Sequence, residues 1–249
     1  MSLLGLQRVG SGPVVVWLHG FTQTRDSSHV FLSILAGTHQ VVTIDLPGHG
    51  EHANLSASLP QTADLLADAL PAARFILGGY SFGGRVALHF ALAHRERLSG
   101  LILLSATAGL RDEGLRVERR ARDEALADHV ERVGADAFLT EWLAQPMFAN
   151  VPDDPRERAA RSADASGLAN SLRHSGTGTQ RWLGEDLVEL EMPTLILAGA
   201  NDEKFVLEAA RLHEAIPHSS LEVVTGAGHA AHLEMPEALA TLVNEYYPQ

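Results

Sequence analysis

The chain has 249 residues, 45% of them hydrophobic, and a formal net charge of -12 with a pI near 5.5. That length fits one α/β domain with room for an insertion, and the acidic balance excludes nucleic acid as a partner, because binding a phosphate backbone needs a basic surface. Cysteine is absent, so disulfides and thiolate metal sites are excluded as well.

Leu3 to Val9 is expected as a short leading strand. Pro13 to Leu18 is a continuous apolar, β-branched run, the pattern of a strand buried on both faces, and it ends in the loop His19-Gly20-Phe21-Thr22. Phe31 to Ala36 is expected as a helix. Gln40 to Asp45 reads as a second buried strand closed by Leu46-Pro47-Gly48-His49-Gly50, where Asp45 and His49 are taken as structural turn residues. Gln61 to Leu70 has helical spacing, Phe75 to Leu77 is a strand, Val86 to His94 a helix and Leu101 to Ser105 another strand.

The rhythm then changes. Between Thr107 and Glu191 no strand pattern occurs, whereas Arg116 to Val133, Ala135 to Ala144, Pro155 to Ala163 and Gly167 to His174 are helical. The strand pattern resumes at Pro193 to Gly199, followed by a helix over Glu203 to Ala215, a strand over Ser220 to Val224 and a closing helix over Pro236 to Tyr246. This alternation predicts a mostly parallel sheet flanked by helices, with the core from 1–106 and 192–249 and a helical cap from 107–191. The N-terminus lacks a charged region followed by an apolar one, and no stretch approaches the ~18 apolar residues of a membrane span. A cytoplasmic protein without a membrane partner is expected.

Gly79-Tyr80-Ser81-Phe82-Gly83 fits G-x-S-x-G between a strand and a helix, the setting of a nucleophile elbow. By itself the pattern is also ordinary loop composition. Further strand ends carry Asp202 and His229, and the order Ser81, Asp202, His229 is that of α/β-hydrolases. His229 is the candidate base for Ser81, with Asp202 orienting its ring. The backbone N–H groups of Phe21 and Phe82 are the candidate oxyanion donors. Alternatives remain: Asp202 as the N-cap of the next helix, or His232 in place of His229. The His-x-x-His spacing has no carboxylates suitably placed beside it, so no metal is expected.

Arg85 stands four residues after Ser81, on the same face of the elbow helix, and a guanidinium there matches a carboxylate-bearing substrate. A surface arginine, or one paired to a core carboxylate, would read the same way.

The run Gly79 to Ala87 resembles the elbow of the menaquinone-pathway family 2-succinyl-6-hydroxy-2,4-cyclohexadiene-1-carboxylate synthase. So do Asp45 to Gly50, Glu118-Arg119 with Asp123, Glu141-Trp142 through Ala149, Arg161-Ser162, Asp202 with Lys204-Phe205, and Gly228 to His232 followed by Glu234 and Pro236. The resemblance implies a lyase without cofactor, in which Ser81, activated by His229 and Asp202, removes a proton and pyruvate leaves by elimination. It implies Arg85, Arg119 and Arg161 as anion-binding arginines for a small polycarboxylate, with Tyr80 and Trp142 on the substrate wall, in a monomer or weak homo-oligomer. Phe82 departs from the family's usual leucine or methionine, a change expected to be tolerated because its backbone acts. The rival expectations are an esterase, lactonase or carbon–carbon hydrolase acting on a small anionic substrate, and a ligand sensor without turnover.

Overall fold

The computed structural model describes residues 4–70 and 72–248. Seven strands form one sheet: β1 (Leu6–Val9), β2 (Val14–Leu18), β3 (Gln40–Ile44), β4 (Phe75–Tyr80), β5 (Leu98–Leu104), β6 (Thr194–Gly199) and β7 (Ser219–Val224). Their spatial order is β1-β3-β2-β4-β5-β6-β7. β1 pairs antiparallel to β3 at the edge, and every other pair is parallel. Leu3, expected at the head of β1, lies outside the described residues.

The apolar runs become strands because side chains alternate between two covered faces. Val16, Leu18, Val42, Ile44 and Leu77 point into one cluster, under α2 (Leu59–Ala69), α3 (Phe82–Ala93) and α8 (Glu203–Ala215). Val15, Trp17, Val41 and Ile76 point into the other, under α1 (His29–Leu35) and α10 (Pro236–Tyr246). Some helices begin earlier than periodicity suggests because of their caps. α2 starts at Leu59, behind a reciprocal Ser58–Gln61 capping box with proline in its first turn.

Between β5 and β6 the described residues hold no strand, only α4 (Glu113–Val133), α5 (Ala135–Leu143), α6 (Pro155–Ala159) and α7 (Ala165–Ser175). α4 begins at Glu113 because Asp112 accepts from the Leu115 amide at 2.9 Å. This insert buries a small core of its own around Val130, Phe138, Leu168 and Leu172. α6 stops at Ala159, short of the expected Ala163, because the chain there turns to bond the loop after β2, Ser162 N donating to the Thr22 carbonyl at 2.8 Å. α9 (Ala231–Glu234), a single turn, escaped periodicity altogether. Among the described residues no helix is long and apolar enough to cross a membrane.

Candidate active site

Ser81, Asp202, His229, Phe21 and Phe82 stand beyond the C-terminal ends of the parallel strands, where open α/β sheets bind ligands. Ser81 follows β4 with φ 50 and ψ -102, a conformation few non-glycine residues adopt. Close packing enforces it. A Cβ at Gly79 would lie 2.4 Å from the Gly83 carbonyl carbon, and one at Gly83 would lie 2.2 Å from the Leu18 carbonyl oxygen, so both glycines are sterically required. Gly83→Ala is therefore expected to destabilise the fold by about 3 kcal/mol or more, read as a lowered urea midpoint. A wild-type midpoint would show that β2 can yield there.

His229 Nε2 lies 3.1 Å from Ser81 Oγ, and His229 Nδ1 lies 2.7 Å from Asp202 Oδ2. The carboxylate can only accept, so Nδ1 carries the proton and Nε2 presents its lone pair to the serine. The two readings of Asp202 are both realised: its Oδ1 also accepts from the Phe205 amide at 3.4 Å, capping α8. Two further groups hold the His229 loop. Glu234 accepts from the Gly228 amide at 2.6 Å and the Ala230 amide at 3.1 Å, and Ser105 Oγ donates to the His229 carbonyl at 2.8 Å. His232 is buried elsewhere, 4.2 Å from the Tyr80 ring centroid and facing Gln23, so only His229 reaches Ser81.

The loop after β2 is held by buried imidazoles. Burial pulls the pKa of His19 down to about 4 and that of His49 to about 3, so both stay neutral near pH 7. His19 Nε2 accepts from the Leu46 amide and His49 Nε2 from the Thr22 amide. Gly20 N donates to Gln23 Oε1 at 2.9 Å. With its two neighbours tied, the Phe21 N–H has no partner among the described residues, and neither has the Phe82 N–H at the start of α3. Asp45 accepts from the amides of Arg25 and Glu51, a turn role matching expectation.

Ser81, His229, Phe21, Phe82 and Tyr80 border a cavity of about 200 Å³ that Arg85, Arg119 and Trp142 also line. Trp142 packs edge-on to Phe21 at 5.2 Å and beside Phe148 at 5.9 Å, forming an aromatic wall. Arg85 is 9% exposed, and among the described residues no carboxylate forms an ion pair with it. Its Nη1 donates to the Ser175 carbonyl at 2.8 Å, and its guanidinium lies 5.4 Å from the centroid of the Phe82 ring. Burial lowers its pKa to about 9, which still leaves it charged at neutral pH. The unusual Phe82 thus supplies an aromatic platform for Arg85 as well as an amide. Arg119 Nε donates to buried Asp123 at 2.7 Å.

Arg161 is not among the residues that line this cavity, although its charge acts on Tyr80, which does. It is 9% exposed and donates from Nη1 to Thr22 Oγ1 at 2.7 Å in the loop after β2. The early end of α6 carries it there. Lys204, the only lysine of the chain, stands exposed beside the cavity it lines, a second cation near the α8 start that spacing alone did not single out. Among the described residues no group of three or more His, Asp or Glu is placed to hold a metal ion.

The alpha/beta hydrolase family model matches residues 15–242. A 2-succinyl-6-hydroxy-2,4-cyclohexadiene-1-carboxylate synthase of Photorhabdus laumondii is 32% identical, the match covering 94% of this chain and 85% of that protein. A Bacillus subtilis (strain 168) protein bearing the same name provisionally is 37% identical over 93% of this chain and 89% of its own. The structure of MenH from S. aureus superposes with a TM-score of 0.90 at 32% identity, covering 97% of each chain. With relatives above 30% identity aligned across almost its whole length, the chain belongs to the alpha/beta hydrolase family and, within it, to the 2-succinyl-6-hydroxy-2,4-cyclohexadiene-1-carboxylate synthases.

Proposed function

We propose that this enzyme eliminates pyruvate from a cyclohexene carboxylate bearing succinyl and enolpyruvyl groups, forming 2-succinyl-6-hydroxy-2,4-cyclohexadiene-1-carboxylate in menaquinone biosynthesis. Ser81 Oγ gives its proton to His229 Nε2 and takes one from the ring carbon next to the succinyl carbonyl. Asp202 stabilises the imidazolium that results. Negative charge moves onto the succinyl oxygen, where the Phe21 and Phe82 N–H groups meet it. Return of that electron pair forms the second ring double bond and breaks the C–O bond to the enolpyruvyl group, which leaves as the enolate of pyruvate and takes up the proton held by the His229 imidazolium, restoring the neutral ring.

The observation that carries this reading is Arg85, a buried guanidinium without a carboxylate partner beside the serine. A hydrolase of neutral esters has no use for a guanidinium there that only the more distant Asp123 offsets, whereas a tricarboxylate supplies a direct counter-ion. Arg119 and Lys204 add positive charge along the same cavity, Tyr80 and Trp142 shape its wall, and the helical insert closes over it as a cap. Substrate binding is assigned to Tyr80, Arg85, Arg119 and Trp142, with Arg161 adding charge beside Tyr80 while it holds the loop through Thr22. The esterase alternative uses the same triad with Ser81 as a covalent nucleophile.

A lactate-dehydrogenase-coupled assay tests the reading: pyruvate should appear in step with loss of the substrate. Rapid cleavage of nitrophenyl esters without pyruvate release would favour the esterase. Arg119→Ala should lower kcat/KM by about ten- to hundredfold, a modest effect because its side chain is 38% exposed. An unchanged value would take Arg119 out of the site.

A further inference from the structure

The cap meets the loop after β2 along a polar seam. Glu157 Oε2 accepts from the Ser28 amide at 2.7 Å, and Glu157 Oε1 accepts from Gln23 Nε2 at 3.3 Å. The Ala160 carbonyl accepts from Thr24 Oγ1 at 2.5 Å and Ser27 Oγ at 3.1 Å, and Arg161 and Ser162 both bond Thr22. At its centre lies Gln23, fully buried with its carboxamide committed on both ends. Its Oε1 accepts from Gly20 N, so its Nε2 is the donor, with one hydrogen for Glu157 and the other for His232 Nε2 at 3.2 Å. The proton of His232 is thereby assigned to Nδ1.

Gln23 also closes the turn through its own backbone, Gln23 N donating to the Gly20 carbonyl at 3.1 Å. Gln23 thus holds Gly20 on both sides, its side chain taking the N–H of the His19–Gly20 peptide and its backbone N–H sharing the Gly20 carbonyl with His19 Nδ1 at 2.9 Å, and that carbonyl belongs to the same rigid plane as the Phe21 N–H. Displacing Gln23 therefore removes one of the two bonds to that carbonyl and frees the Phe21 donor to tilt about the one from His19. Glu157 is 6% exposed and lines no part of the catalytic cavity. Burial raises its pKa, partly opposed by the Ser28 amide and by Arg161, while His29, itself beside Asp154, faces its other side. A carboxylate in so dry a position costs free energy that an apolar side chain would not.

We propose that Glu157 is a positioning residue which, through Gln23, fixes the Gly20–Phe21 peptide and so couples seating of the cap to the aim of the Phe21 N–H. This rests on the assignment of that N–H as an oxyanion donor. The natural substrate is not needed to test it, because a small arylboronic acid adds to Ser81 Oγ and places an oxygen of the tetrahedral adduct at the same donors.

In the full chain, Glu157→Gln is expected to weaken boronate inhibition and lower kcat by about ten- to hundredfold, with KM within about twofold because the cavity arginines are untouched. Gln23→Met should do the same, and the double variant should be no worse than Gln23→Met alone, since one relay is broken once. If Glu157→Gln fails to fold, Gln23→Met carries the test by the same measurements. Wild-type boronate affinity in a folded variant, a KM that rises in step with the loss in kcat, or additive losses in the double variant would each overturn the proposal. A wild-type enzyme that binds boronate yet releases no pyruvate would sink the lyase reading and leave this one standing.

Discussion

Ser81→Ala is expected to reduce pyruvate release by about three to five orders of magnitude while leaving substrate affinity close to wild type. The hydroxyl lies 3.1 Å from His229 Nε2, and without it His229 would have to reach the substrate carbon directly. Groups that act as one relay lose nearly everything when one is removed, and the residual rate reflects the oxyanion donors and binding alone. The fold should tolerate the change, because the strained turn is held by glycines and by Ser81 N donating to the Leu104 carbonyl at 2.8 Å, neither of which involves the side chain. Mass spectrometry of wild-type enzyme during turnover separates the two chemistries. A proton-transfer role leaves the chain mass unchanged, and an acyl adduct on Ser81 would instead make it a nucleophile.

The sheet was legible because the central strands are covered on both faces, which makes β2, β3, β5 and β6 predominantly apolar. The closing helix and α8 carry residue-for-residue the expected limits, being bounded by proline and by a capping aspartate. Ser81, Asp202 and His229 were legible for a related reason: each sits in the turn or loop that follows a strand, so topology brings them to one edge. Contacts between distant segments were not. Gln23 and Glu157 are 134 residues apart, and Glu234 reaches back to its own loop through two amides that no side-chain pattern records. The position of Arg161 depends on where α6 ends. A five-residue helix leaves too few turns for periodicity to fix that point.

Replacing Arg85 with methionine separates stability from function in a way that few substitutions at the site would. Catalytic efficiency should fall by about 2 to 5 kcal/mol, roughly thirty- to several-thousandfold in kcat/KM, as a desolvated carboxylate of the substrate loses its only fully buried counter-charge. The empty enzyme should keep its stability to within about 1 kcal/mol. Removing one member of a buried ion pair ordinarily costs far more, because it strands the other charge, but Arg85 has no such partner to strand among the described residues. What the fold loses is the bond to the Ser175 carbonyl at the end of α7, a long 3.5 Å bond to Gln180 Oε1 and the contact over the Phe82 ring, and what it gains is release from holding a cation in a dry site beside Arg119. These opposing changes are of similar size. A large drop in the urea midpoint would mean that Arg85 is a structural brace of the cap, whereas a wild-type kcat/KM would remove both Arg85 and the argument for an anionic substrate.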